Sequence, residues 1–465
     1  MSEEQYGNGW FQSTGGERVR GDYVSAVGES AQVTIDGVVK DDPTTTMKVT
    51  PTGITITMSG DPAKSVAAFA PTILHGELDS GELVSLLYAQ NHGGSGYHGA
   101  PRYVARTVVT GAHVPEDQLY TSVRFQVDDP YWTAHLVDGT TSTVPDDDST
   151  VTAQSSEDGM WLVYDSASPR TLPNLESRVV SGCLGLARLT LDRQLVTRAT
   201  HVRIERDGKW LVVHGRAFCA PVSGVGVSLL PREELTVDRL AAWIALNDSL
   251  DGLAWAVIEP VKSAVQAEVL VATSLIEGLH RRFPEYAQSQ FPDATGGALD
   301  RVKKAASVGA AERAAAEENL EPDAVRAAVR TAVGHFSDVD FRDRARDVVG
   351  PVLSAVPQLA ESIPDLVAVL TGARNELAHH AVLDNEKDPL SERIDRWAVV
   401  SMVTPWLLRI FLLLHAGMAP DDLQAGCLDY QKFGFVRANI ATIARDLGWS
   451  PVPTEDEVLS SAESD

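Results

Sequence analysis

From about residue 30 to residue 225 the chain alternates apolar and polar positions in short runs. Gln32-Val33-Thr34-Ile35, Gly53-Ile54-Thr55-Ile56-Thr57-Met58 and Tyr120-Thr121-Ser122-Val123-Arg124-Phe125-Gln126-Val127 are clear cases, separated by turn residues. A period of two puts every second side chain on one face of a strand, so this half predicts half-buried strands in a sandwich or partly closed barrel. His201 to Val213 reads as a hairpin in which Asp207-Gly208 forms a tight primed turn. Thr140 to Asp158, with Asp146-Asp147-Asp148, reads as a polar loop, solvated rather than metal-binding.

Near Pro231 the period changes to that of a helix. Thr236 or Asp238 is placed to cap a helix that begins at Arg239, and Ala, Leu, Glu and Arg dominate from there to about Asp446. The spacing predicts one long pattern from Leu253 to Phe283, ended by Pro284. It then predicts helices over 298–319, 322–336, 342–359, 364–382, 390–418 and 421–447. The expected class is an α+β multidomain chain. A β-rich N-terminal sandwich or barrel-like domain spans 1–235 and an all-α bundle spans 236–450. An acidic tail, 451–465, is expected to be disordered.

Composition narrows the function classes. At 465 residues and 44% hydrophobic content the chain has room for two or three cores. Cys183, Cys219 and Cys427 lie far apart, with no CxxC pair and no His/Cys cluster at zinc spacing. That predicts a reducing, cytoplasmic setting, no metal and no cofactor. Glu3 and Glu4 stand where a signal peptide needs basic residues. The apolar stretch Ala398 to Met418 is interrupted by Pro405, Arg409 and His415, so it reads as a buried bundle helix and no membrane contact is expected. A net charge of −25 argues against broad nucleic-acid affinity, so any RNA contact has to be local.

One segment looks chemical: Thr371-Gly372-Ala373-Arg374-Asn375-Glu376-Leu377-Ala378-His379-His380. On a helix, Leu366, Leu370, Ala373 and Leu377 form an apolar stripe. With Leu377 as zero, Arg374 falls at about 60°, Ala378 at about 100°, Asn375 at about 160° and His379 at about 200°. Arg374, Asn375 and His379 thus share the uncovered side, with only a methyl between Arg374 and His379; His380 falls on the far flank. Spacing alone proves little. With 12 histidines in 465 residues, an Arg followed five places on by His is expected about once by chance. Arg330 with His335 is such a case, and Arg409 with His415 is one residue longer; both read as structural.

Context separates the third instance. Arg374-Asn375-Glu376-Leu377-Ala378-His379 resembles the Arg-Asn-x-Leu-Ala-His form of the RxxxxH motif of HEPN ribonuclease domains. A β-rich region followed by such a bundle resembles the ApeA family of bacterial antiphage proteins. Helical order and the segment Ile276-Glu277-Gly278-Leu279-His280-Arg281-Arg282-Phe283 extend the likeness more loosely. The resemblance implies a metal-independent endoribonuclease acting on RNA, with tRNA as a candidate substrate. It also implies a homodimer through the helical domain and a β-rich domain that either senses a phage-derived trigger or positions a particular RNA.

The residue types suit that chemistry. Arg374 is a permanently charged planar donor for a phosphate that gains charge. His379 is suited to deprotonate a ribose 2′-hydroxyl, and Asn375 to hold the imidazole or a phosphate oxygen. Glu277 is a candidate partner for Arg374, and Arg281, Arg282, Lys303 and Lys304 for a local basic rim. Gly372 reads either as a point of close approach or as a tolerated helix glycine. His201, His214, Trp132, Trp161 and Trp210 read as packing residues. Two other readings stay open: a non-catalytic helical dimer carrying a β-rich binding domain, and a carbohydrate- or peptide-binding β domain on an oligomerising bundle.

Overall fold

The computed structural model describes residues 5–13, 16–25, 30–36, 45–50, 53–58, 70–92, 101–145, 147–215, 227–260, 262–317, 319–379 and 389–449. Residues 450–465, the predicted tail, lie outside the described residues, as does Asp146. The chain divides into two compact units, Met1–Asp248 and Ser249–Asp465.

In the first unit, β1 (Gln5–Ser13), β2 (Val19–Ser25) and β3 (Gln32–Ile35) form a meander, and β4 (Thr45–Thr50) pairs with β5 (Gly53–Met58) in a separate hairpin. β6 (Thr72–Leu78), β7 (Leu83–Asn91), β8 (Arg102–Val104) and β9 (Thr107–Thr110) follow. The order β7-β6-β1-β2-β3-β8 returns to β7 and closes a six-stranded antiparallel barrel. The closure turns on Tyr88. Val84 to Leu87 pair with β9 and Gln90 and Asn91 pair with β8 in one continuous register, and Tyr88 between them has a φ of 54°. A left-handed residue bends the strand there, so a single edge of β7 serves both the barrel and the sheet beyond it.

Barrel residues that alternate inward, among them Phe11, Tyr23, Val33, Ile35, Leu74, Leu86 and Tyr103, fill the interior. A Cβ built at Gly76 would lie 2.4 Å from the Phe11 ring, so this position has room only for glycine.

From β9 the sheet runs on through β10 (Leu119–Val127), β11 (Thr141–Thr143), β12 (Thr150–Ser156), β13 (Gly159–Thr171), β14 (Thr197–Arg203) and β15 (Leu211–Gly215), in the order β9-β15-β14-β10-β13-β12-β11. Two sequence expectations change here. Thr140 to Asp158 is largely the β11–β12 hairpin, because its threonines pair across strands, Thr141 opposite Thr152 and Thr143 opposite Thr150. Asp147 is not solvated loop: it accepts from Arg170 and, at 3.2 Å, from Arg178.

The β14–β15 hairpin exists, but its turn is not a two-residue one. Residues 204–210 form the connection, Gly208 N donates to Glu205 O at 2.9 Å, and neither Asp207 nor Gly208 has positive φ. The reason is Trp210, whose indole leaves the strand to lie between the guanidinium groups of Arg124 and Arg203, 4.6 and 4.5 Å away.

Helical turns Leu172–Leu175 widen into a π-helical Glu176–Ser181 and continue as α1 (Gly182–Leu191). α2 (Val237–Ser249) is started by Thr236, whose hydroxyl accepts from Arg239 N at 3.3 Å, and Trp243 of α2 donates to Gly182 O at 2.8 Å. The change of period at 235 and the division of units at 248 therefore fall on either side of α2.

Glu176 on the π turn carries the clearest pH signature of this unit. Burial, only partly opposed by Arg106, pushes its carboxyl up to about 7, and Oε1 has no partner. A raised acid stabilises the fold fully below its unfolded value of about 4.5, and that contribution is lost as pH rises through about 7. Glu176→Gln is accordingly expected to raise the thermal midpoint by a few degrees at pH 8 and to leave it nearly unchanged at pH 4. An equal effect at both pH values would rule the assignment out.

In the second unit the long pattern 253–283 is two helices, α3 (Leu253–Ile258) and α4 (Val265–Arg282). Pro260 explains the break: the preceding Glu259 is driven out of helical angles to φ −122° and ψ 71°. α5 (Gly296–Ala314) and α6 (Pro322–Ala332) pack on each other. α7 (Phe341–Ala355), α8 (Leu366–His379) and α9 (Leu390–His415) follow, and the last predicted helix is split into α10 (Pro420–Asp429) and α11 (Gln431–Asp446).

α9 is long and apolar enough to cross a membrane, yet Val399, Val400, Val403, Leu407, Ile410, Phe411, Leu412 and Leu413 are buried inside this unit. It packs against α3, α4, α7, α8 and α11.

Candidate functional site

The site begins with the start of α8. Pro364 precedes Asp365, whose carboxylate accepts from Ala368 N at 2.9 Å and supplies the cap. Leu366, Leu370 and Ala373 are buried, as their spacing requires, while Leu377 is only half-buried. Burial of a leucine such as Leu370 is worth about 1.5–3 kcal/mol, which fixes the rotation of the helix about its axis. That rotation leaves Asn375 and Ala378 exposed and Arg374 half-buried at the edge. His379 closes the last turn of α8; its side chain and all of His380 lie outside the described residues.

Arg374 is held on two sides. Its Nη2 donates to Glu277 Oε2 of α4 at 2.9 Å, and its guanidinium lies 4.8 Å from the centre of the Phe341 ring at the start of α7. The other Glu277 oxygen, Oε1, accepts from Arg281 Nη2 at 2.7 Å, one turn along α4. Arg344, one turn beyond Phe341 on α7, makes no hydrogen bond to this carboxylate but adds a third positive charge near it. Burial opposes ionisation of Glu277, but the Arg281 hydrogen bond and the charges of Arg374, Arg281 and Arg344 hold it below the usual carboxylate range. Glu277 is thus bonded by Arg374 of α8 and Arg281 of its own helix, with the Arg344 charge of α7 nearby. In a chain of net charge −25 this is a locally positive spot.

Glu376 points away from this cluster. It accepts from Arg393 and, at 3.0 Å, from Trp397 Nε1, two α9 residues one turn apart, so the motif helix is tied to the centre of the bundle. Gly372 is exposed, and a Cβ built there would meet nothing within 4 Å. Among the described residues no close approach requires a glycine here.

The remaining basic candidates divide. Arg282 pairs with Asp251 at 2.9 Å, and Lys303 Nζ donates to Gly334 O at 2.8 Å. Lys304 is exposed on α5. Neither Arg330 with His335 nor Arg409 with His415 makes a second cluster of this kind. His335 bonds Asp338 at 2.8 Å, and His415 donates from Nδ1 to Phe411 O at 2.9 Å. His280 is fully buried against Asp347, with Nε2 and Oδ2 2.8 Å apart.

In the β-rich unit, His201 Nδ1 accepts from Arg124 Nε at 3.1 Å. Burial and the Arg124 charge push its pKa down to about 4. Trp132 and Trp161 are buried. Among the described residues no group of three His, Cys, Asp or Glu is placed to hold a metal ion.

Sequence reasoning missed Phe341, Arg344, Arg393 and Trp397. The i, i+3 and i, i+4 spacing of these pairs marks a shared helix face, but nothing in one helix says which neighbour that face meets.

The architecture is that of a β-barrel unit followed by a helical unit bearing a guanidinium–carboxylate cluster. Residues 7–138 match the family model described as ApeA N-terminal domain 1, which supports the ApeA family. The matched span covers the barrel together with β9 and β10 and stops short of β11, far in sequence from Arg374. No curated protein and no solved structure matches the chain.

Proposed function

We propose that the chain is an ApeA-type antiphage effector whose helical unit is a metal-independent endoribonuclease, with Arg374 and His379 as its catalytic residues. The observation that carries this reading is the aimed guanidinium of Arg374: Glu277 and Phe341 hold it at the edge of the helix face that also presents Asn375 and the turn of His379. The family match over residues 7–138 supports the antiphage role.

In the proposed reaction His379 takes the proton of a ribose 2′-hydroxyl, whose oxygen attacks the adjacent phosphorus. Arg374 neutralises the charge gained by the phosphoryl oxygens. The bond from phosphorus to the 5′ oxygen breaks, a proton passes to that oxygen, and the products carry a 2′,3′-cyclic phosphate and a 5′-hydroxyl. Asn375 orients the imidazole or a phosphate oxygen. A homodimer through the helical unit brings two such motifs together, and RNA, with tRNA as the first candidate, is the substrate. The β-rich unit receives the trigger. Because its barrel interior is filled by Phe11, Tyr23, Leu74 and Leu86, the trigger engages an outer surface.

The test is incubation of the purified chain with total tRNA in the presence of EDTA, followed by mapping of the ends. Cleavage with 5′-hydroxyl ends is expected. A requirement for a divalent metal, or 5′-phosphate ends, overturns the mechanism, and intact RNA favours the non-catalytic dimer.

A further inference from the structure

Arg344 is a buried cation that the proposed reaction leaves without a task. It is 3% exposed, its Nε donates to Val339 O at 2.9 Å, and its Nη1 is buried without a partner. A buried guanidinium with unused N–H groups is costly, and retaining one beside two further arginines needs a reason. The charges around it do not balance. The charges of Arg281 and Arg374 act on Arg344 and are opposed by those of Glu277 and Asp338, and Asp338 is also bonded by His335. Glu277 has one oxygen on Arg281 and the other on Arg374, so a single carboxylate holds both guanidinium groups. The Arg281 side chain is 54% exposed and that of Arg374 27% exposed. Arg282 and Lys303 do not join them, since each is engaged elsewhere.

We propose that Arg281, backed by Arg344, forms a second phosphate subsite next to Arg374, which takes the neighbouring phosphodiester of the same RNA strand. Arg281 touches the phosphate. Arg344 is a positioning residue: its fixed charge keeps Glu277 ionised while that carboxylate orients both outer arginines, and it adds to the local positive potential where the strand must overcome the acidity of the rest of the chain. The subsite serves the ribonuclease reading above and rests on it for the identity of the strand, but its anion binding is measurable without catalysis.

The experiment uses the full chain, with inorganic pyrophosphate as a two-phosphate probe and a single-stranded RNA oligonucleotide as the ligand. Pyrophosphate is expected to raise the thermal midpoint of the wild type, since a ligand that binds only the folded state stabilises it. The rise is expected to be lost in Arg281→Gln and Arg344→Gln and restored in Arg344→Lys. For RNA, Arg281→Gln is expected to weaken binding about tenfold and to reduce the slope of log affinity against log salt by about 0.7, the loss of one single-strand phosphate contact.

If Arg344 is only structural, Arg344→Gln will lower the midpoint without anion and leave the pyrophosphate-induced rise intact, which overturns the proposal. So does a wild type that pyrophosphate does not stabilise. Pyrophosphate binding that depends on Arg281 and Arg344, without RNA cleavage, keeps the subsite and removes the ribonuclease. Cleavage without that dependence does the reverse.

Discussion

Arg374→Ala is expected to lower the rate of RNA cleavage by about 10²–10³-fold, the usual cost of removing one donor to a developing oxyanion. The fold should survive, because Glu277 keeps its Arg281 hydrogen bond and the nearby Arg344 charge when Arg374 is gone. Arg374→Lys is expected to recover only part of the rate: an ammonium retains the charge but not the planar fork that meets Glu277 and a phosphate together. His379→Ala should lose activity comparably, by about 10²–10⁴-fold, as expected for a general base. Initial cleavage rates alongside thermal midpoints check all three. Wild-type rates in Arg374→Ala would remove the catalytic assignment, and a collapse of the midpoint would move the residue to a structural role.

The largest stability effect is expected at Glu376, not at the catalytic candidates. Glu376→Ala takes a carboxylate away from the buried Arg393 and from Trp397 Nε1. Losing the charge-assisted hydrogen bonds of this carboxylate to Arg393 and Trp397 together costs about 3 kcal/mol. For a unit of this size that corresponds to a fall in midpoint of roughly 6–12 °C. Glu376→Gln, which keeps the shape and one acceptor, should cost less. Thermal unfolding of both variants decides it: an Ala variant as stable as the Gln variant would mean that the ion pair contributes little.

The contrast between these neighbouring residues shows how much of the site was legible in sequence. Arg374 and Asn375 could be placed on the uncovered face because helical periodicity and the burial of Leu366, Leu370 and Ala373 fix the rotation of one helix. Glu376 follows them directly in sequence and does different work, because what it meets is a turn of α9 that no local pattern specifies. Arg344 was invisible for the same reason. It is an ordinary helix arginine until α7, α4 and α8 are packed together.

The fold divides along the same line. Alternation identified β3, β5 and β10, since period two is written in single residues, but it set the start of the β structure near residue 30 and so missed β1 and β2. It did not reveal that Trp210 would leave its strand to stack between two arginines, nor that Thr140 to Asp158 would pair as strands. The first depends on a partner distant in sequence, Arg124, whereas the second is local pairing of β11 with β12 and of β12 with the adjoining β13, hidden by the polar composition of the segment. Pro260 had been available as a breaker of the long helical pattern, and its effect on Glu259 is local.

By itself, then, the order of residues determined the α+β class and the rotation of the helix on whose uncovered side Arg374 and Asn375 fall. These follow from periodicity and capping, which act over a few residues. Only the tertiary structure decided that β7 bends at Tyr88 to close a barrel, that Glu277 divides its two oxygens between Arg374 and Arg281, and that a buried Arg344 stands behind them. Each of these is a meeting of segments far apart in the chain, and its energy depends on burial and charge that exist only once those segments are packed.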